Sequence, residues 1–143
     1  NMSTVSAIAI ISFEESLLYP ENVDEFSKNI NKAVMVLKDR ESSNVSNSDH
    51  TEDPIVLSNP YNVNGLEFKC VILVGVDEGR VPQNVGVSDI SANYIKYSAF
   101  NQLYLTSSRA KFRLILLGNS LHGTSTCLQY AIENGRIEVE MCG

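Results

Sequence analysis

The sequence has no Gly-x-x-x-x-Gly-Lys-Ser/Thr anywhere in its 143 residues, so the chain cannot cradle a triphosphate as a P-loop does. It is also short of positive charge. Eleven Lys and Arg stand against 17 Asp and Glu, a net charge of −6. No global basic field gathers phosphate backbones, and the isolated chain is expected to bind single strands only weakly and in a salt-sensitive way. Cysteine is scarce: Cys70, Cys127 and Cys142 are an odd number without metal-ligand spacing. Cys70 opens an apolar run and reads as a buried small hydrophobe in a reducing compartment. The two histidines, His50 and His122, lie far apart and read as surface or turn residues. No apolar run approaches the roughly 20 residues that span a bilayer. The start, Asn1-Met2-Ser3, has neither a basic region nor an apolar segment before a cleavage site. No membrane contact is expected, and the cytoplasm is the expected location. Asn1 before Met2 reads as a cloning remnant, which points to a piece of a longer protein.

What is present suits a folded domain. A hydrophobic content of 43% over 143 residues is enough for one core, so 1–143 reads as a single domain. Apolar runs alternate with amphipathic ones, the pattern of an α/β sheet covered by helices. Val5 to Ile11 reads as the first strand. From Asn22, the residues Val23, Phe26, Ile30, Ala33, Val34 and Leu37 recur at helical spacing, with Asn22 as N-cap and Glu25 completing a capping box; that helix should end near Lys38. The polar stretch 42–53 reads as a mobile surface loop. Ile55 to Leu57, Cys70 to Val76 and Phe112 to Leu117 read as strands. Ile90, Tyr94, Tyr97, Phe100 and Tyr104 mark one face of a long helix. Thr124 to Asn134 reads as a last helix closed by Gly135, and Ile137, Val139 and Met141 as a half-exposed last strand.

Two segments carry the chemistry. The first is Asn64-Gly65-Leu66-Glu67-Phe68 followed by the run Val71 to Val76 and Asp77-Glu78-Gly79-Arg80-Val81-Pro82. The second is Leu103-Tyr104-Leu105-Thr106-Ser107-Ser108-Arg109-Ala110. Gly65 permits a turn with positive φ, which can aim Glu67 from the carboxyl edge of the sheet, where open α/β sheets bind ligands; a tight turn with Glu67 in solvent is the alternative. Arg109 ends a long helix just before a buried strand. It can spread charge over a phosphoryl group or satisfy the carbonyls at its own helix end. Val71 to Glu78 imitates a Walker B strand, but without a P-loop there is no phosphate-bound metal for Asp77 to hold, and no metal site is expected. Tyr61 can stack on a base or pack in the core, and Asn59 can bond a phosphate.

In order and spacing, the segments between Ile55 and Gly118 resemble motifs V and VI in the second RecA-like lobe of UvrD/Rep-type superfamily 1 DNA helicases. The resemblance implies a three-layer RecA-like α/β domain with a mostly parallel central sheet and without the P-loop. That lobe is the C-terminal motor domain of an ATP-dependent helicase or translocase, with ATP-binding, DNA-binding and hydrolase activity in the parent protein. ATP and Mg²⁺ would be held mainly by the missing N-terminal lobe, and this chain alone would be inactive. Arg109 would be the catalytic arginine finger. Gly65, Glu67 and Arg109 would contact the nucleotide, Glu67 at a ribose hydroxyl. Asn59, Tyr61 and Asn64 would lie by the single strand. The resemblance puts the Asp77 turn on the surface, in a structural role or against a neighbouring lobe. The partners would be the N-terminal motor lobe of the same protein and single-stranded DNA. The sequence departs from the family pattern at Asn64, where Lys is usual, and has no arginine between Val5 and Phe13. Both departures favour an alternative: a degenerate lobe kept as a protein-interaction or regulatory module. A free-standing flavodoxin-like domain for a small phosphorylated ligand is a third reading.

Overall fold

The computed structural model describes residues 7–38, 53–82 and 89–142. Five strands, β1 (Ile8–Ser12), β2 (Val34–Val36), β3 (Ile55–Ser58), β4 (Phe68–Val74) and β5 (Ala110–Leu117), form one sheet in the order β2-β3-β1-β4-β5. Every ladder is parallel. The three longer helices are α1 (Pro20–Ile30), α2 (Asp89–Ser107) and α3 (Gln129–Glu133). This is an α/β fold consistent with a RecA-like domain. The stretch 42–53 lies outside the described residues apart from Asp53.

Register sets the core. Ala9 stands beside Val56 and Val71, and Ile11 beside Leu73; in a parallel sheet such partners share a face. All five are fully buried, and Leu103 of α2 and Cys127 close over them. The crossover β1-α1-β2 runs one way along the sheet and β4-α2-β5 the other. Right-handed crossovers therefore place α1 and α2 on opposite faces. The face opposite the core is less complete: Ile10, Ile72 and Val74 stay half-exposed, and α1 buries no residue fully.

Several elements depart from the sequence reading. The first helix starts earlier and stops sooner. Pro20 occupies its first turn, where the missing N–H costs nothing, and Asn31 ends it in the left-handed region at φ 52°. Asn22 is inside the helix, and its Nδ2 donates to the Ser16 carbonyl at 2.6 Å. Val34 to Val36 leave the helical pattern to pair with Ile55 to Leu57; β-branched valines suit that pleat. At the other end, a short 3-10 turn, Thr126–Leu128, precedes α3, and Gly135 does close it, its N–H donating to the Ile132 carbonyl at 3.1 Å. Residues 136–142 form no strand. Of the cysteines, Cys127 is buried and Cys70 only partly so.

The aromatic face of α2 is also reversed. Ile95, Ala99, Leu103 and Thr106 turn inward, whereas Tyr94, Tyr97, Phe100 and Tyr104 are exposed. Both stripes have helical spacing, so periodicity alone could not choose between them. Truncating Tyr97 or Phe100 to Ala is accordingly expected to change the unfolding free energy by less than about 1 kcal/mol in urea titration, far below the roughly 3–5 kcal/mol of a buried aromatic.

Candidate functional site

The proposed site residues fall at two opposite edges of the sheet. Because β4 begins at Phe68 and runs parallel to β1, Glu67 lies at the amino edge and not at the carboxyl edge expected from its turn. The chain leaves the carboxyl end of β3 at Ser58 and returns through turns at 60–65 to start β4. Val63 anchors this return in the core. Gly65 takes φ +84° with open space where a Cβ would stand, so its glycine character serves the backbone conformation and not a close approach.

Arg109 arrives at the same edge from α2. The Phe68 N–H donates to the Arg109 carbonyl at 2.9 Å, which ties the backbone beside Glu67 to the residue just before β5. Glu67 Oε2 pairs with Lys111 Nζ at 3.3 Å. The Arg109 guanidinium turns back on its own helix: Nε donates to the Leu105 carbonyl and Nη2 to Ser108 Oγ, both at 3.2 Å. In this structure Arg109 thus satisfies a carbonyl at its own helix end. Asn64 is exposed on the turn that leads into this edge.

Asn59 and Tyr61 lie at the other end. Asn59 Oδ1 accepts from the N–H groups of Tyr61 and Asn62 at 2.9 and 3.0 Å, an Asx turn that leaves β3. Tyr61 is not in the core; it is 72% exposed. Both residues line a cleft of about 480 Å³ with Phe13, Arg80, Tyr94 and Gln102.

Behind the cleft is a charge network with little sequence signal. Asp77 is completely buried, a correction to its expected surface position. Its Oδ1 meets Arg80 Nη1 at 3.2 Å and its Oδ2 meets His122 Nδ1 at 2.7 Å. Arg80 Nη2 also reaches Glu14 Oε2 at 3.0 Å. His122 is therefore no ordinary turn residue. Gly75, at φ +83°, gives Arg80 room: a Cβ there would sit 3.0 Å from Arg80 Cδ. Glu78 Oε2 accepts from the Thr126 N–H at 2.8 Å, and Ser125 Oγ donates to the Val81 carbonyl. These bonds lash 119–126 to the turn after β4, which supports a structural role for the acidic turn. Only the spacing of Asp77 and Arg80, three residues apart, hinted at the network; the partnership with His122 spans 45 residues. No group of three His, Cys, Asp or Glu among the described residues could hold a metal ion. None of the described helices is long and apolar enough to cross a membrane.

No family model matches the sequence, and no curated protein matches it. Among solved structures, the chain is similar to the C-terminal domain of a possible DNA helicase from Lactobacillus plantarum WCFS1, with a TM-score of 0.55 and 17% identity. The match covers 86% of this chain and 61% of the length of that one. At this identity the likeness establishes the fold.

Proposed function

We propose that this chain is the second motor lobe of a UvrD/Rep-type ATP-dependent DNA helicase or translocase. The observation that carries the reading is the meeting of Glu67 and Arg109 at one sheet edge, through the bond from Phe68 N–H to the Arg109 carbonyl. A carboxylate acceptor and a planar cation at one edge suit a nucleotide's hydroxyls and phosphates. The donor set fits only part of a nucleotide, because the sequence offers no phosphate cradle. ATP and Mg²⁺ are therefore assigned to the first lobe, with this edge closing against them. What the solved neighbour supports is the coarser reading, a helicase C-terminal domain. Single-stranded DNA is assigned to the opposite edge, with Asn59 and Tyr61.

In this reading Glu67 leaves Lys111 to accept from a ribose hydroxyl. An exposed ion pair of this kind is worth at most about 1 kcal/mol, so the exchange is cheap. In a protein that joins this lobe to its P-loop lobe, Glu67→Gln should raise KM for ATP about tenfold while lowering kcat much less, the loss of one charge-assisted hydrogen bond. The effect should shrink with a triphosphate that lacks the ribose hydroxyls. Steady-state ATP turnover with single-stranded DNA present measures this; an unchanged KM removes Glu67 from the nucleotide site.

A second reading, an interaction or regulatory module, is favoured by the Arg109 guanidinium bonded to its own helix and by the exposed Tyr97, Phe100 and Tyr104. Turnover by the intact protein separates the two.

A further inference from the structure

Among the described residues β5 is an outer strand of the sheet, and its free edge is unevenly guarded. The amino half carries Lys111 and Arg113 and a shift in register against β4 between Phe68 and Cys70. Charge and irregularity of this kind keep an edge from pairing with other chains. The carboxyl half, Leu114 to Leu117, is an unbroken apolar run without either device, and Leu114 and Leu117 are exposed. Arg113 stands at the boundary, exposed and with no ion pair among the described residues.

A segment complementary to this edge exists in the same chain. Ile137, Val139 and Met141 alternate with Glu138 and Glu140, the period of a half-buried strand, yet residues 136–142 form none. Register decides how the segment would fit. Leu114 and Leu116 stand beside Val71 and Leu73 on the core face, and Arg113 beside Cys70 on the other. With Val139 set beside Leu114, Ile137 and Met141 fall on the leucine face and both glutamates on the arginine face. One glutamate then lies opposite Arg113 whether the strands run parallel or antiparallel. A slip of one residue would put the glutamates on the leucine face, and a second β5 would offer Arg113 no acid at all.

The chain's own tail passes near β5 without pairing. It lines a groove of about 360 Å³ with Leu116, Leu117 and Leu128, and no backbone hydrogen bond among the described residues joins it to the strand. The closing turn of α3 aims it. Gly135 takes φ +66°, and the Arg136 N–H donates to the Ala131 carbonyl at 2.8 Å, which fixes where the tail leaves the helix. A tail from a second copy brings its own turn with it and is free to approach the edge from another direction.

We propose that two copies of this chain associate by exchanging tails, residues 137–141 of each adding as an outer strand to β5 of the other, with the glutamates on the Arg113 face. The net charge of −6 on each copy opposes the approach. At physiological salt that repulsion is screened beyond about 8 Å, whereas opposed side chains in a ladder lie about 5 Å apart, so the local pairing prevails. Each added strand is only about 17 Å long. The contact is therefore small and the dimer weak, with Kd on the order of 10 µM. No residue of the nucleotide or single-strand assignments takes part, so this association and the motor reading stand or fall separately.

Sedimentation equilibrium of the 143-residue chain should show a reversible monomer–dimer equilibrium. Arg113→Glu should weaken it about tenfold or more, and so should Glu138→Lys combined with Glu140→Lys, since each sets like charges opposite one another. An equimolar mixture of these two variants should dimerise as wild type does, because each tail then meets an edge of opposite charge. Val139→Pro should weaken the dimer about tenfold or more by removing a ladder N–H, while its thermal unfolding matches that of wild type under conditions where both are monomeric. A chain that stays monomeric at about 1 mM, a hundredfold above the expected Kd, overturns the proposal. Slow amide exchange at 137–141 in such a monomer would show the tail on its own edge and overturn it equally. So would a mixture of folded charge variants that fails to associate, or a Val139→Pro chain that dimerises as wild type does. Dimers lost on Tyr97→Ala or Phe100→Ala but indifferent to the charge variants would place the contact on α2 and refute the exchange.

Discussion

Arg109→Ala, in a protein carrying both motor lobes, will bind ATP within about tenfold of wild type yet turn it over roughly 10³-fold more slowly. A guanidinium at a phosphoryl centre acts on charge that develops in the transition state, so its loss falls on kcat and leaves ground-state binding nearly intact. In the present structure that guanidinium bonds the Leu105 carbonyl and Ser108 Oγ. To reach a phosphate it must release two exposed hydrogen bonds, each worth about 1 kcal/mol net, far less than the charge-assisted bonds it would gain. Arg109→Lys will recover only a small part of the rate, because an ammonium is a point charge where a planar fork spans two oxygens. Steady-state kinetics with single-stranded DNA decide the matter. Normal kcat in Arg109→Ala would reduce Arg109 to a helix cap and leave the interaction module as the better reading.

Arg80→Met will destabilise the chain by about 3 kcal/mol, the cost of leaving a buried carboxylate without its cation. Asp77 is wholly buried, and among the described residues its carboxylate oxygens are bonded by Arg80 and His122. Methionine replaces the length of the side chain over Gly75 but not the guanidinium. Glu14→Gln removes the other partner of Arg80, which is a partly exposed contact, and should cost under about 1 kcal/mol. Urea denaturation of the 143-residue chain compares the two directly. Equal midpoints for Arg80→Met and Glu14→Gln would mean that the buried carboxylate does not depend on Arg80.

How much of this could be read from the sequence depends on the range of the interaction involved. The strands Ile55–Ser58 and Phe68–Val74 were legible as short apolar runs because an inner parallel strand needs no alternating pattern to announce it; Ala110–Leu117 was legible by the same run, but it is an edge strand whose side chains are mostly exposed and not the buried strand expected after Arg109. Asp89–Ser107 was legible as a helix, but its inward face was not: it carries two apolar stripes, and the larger aromatic one, Tyr94 to Tyr104, faces water. Val34–Val36 was misread as helix because its period matched the preceding turns. Only pairing with β3, outside any local window, makes it a strand. Glu67 was assigned to the wrong edge, since turn chemistry tells where the chain bends and not which way it then travels. Of the Arg80, Asp77 and His122 network only the three-residue spacing of Asp77 and Arg80 is local; His122 joins it from 45 residues away, through the fold.

The strand order has a consequence for how the chain is made. Of the five described strands, β1 comes earliest in the sequence and lies in the middle of the sheet, between β3 and β4. Its partners, Val56 to Ser58 and Cys70 to Val74, come some fifty to sixty residues later, at register positions that no hairpin can reach. A nascent chain therefore offers Ile8–Ser12 neither partner until Ser58 has cleared the ribosome and only one until Val74 has, so its apolar central strand waits incompletely covered through that interval. Loop closure must precede reward, which makes the sheet slow to assemble and places its exposure to aggregation early in synthesis.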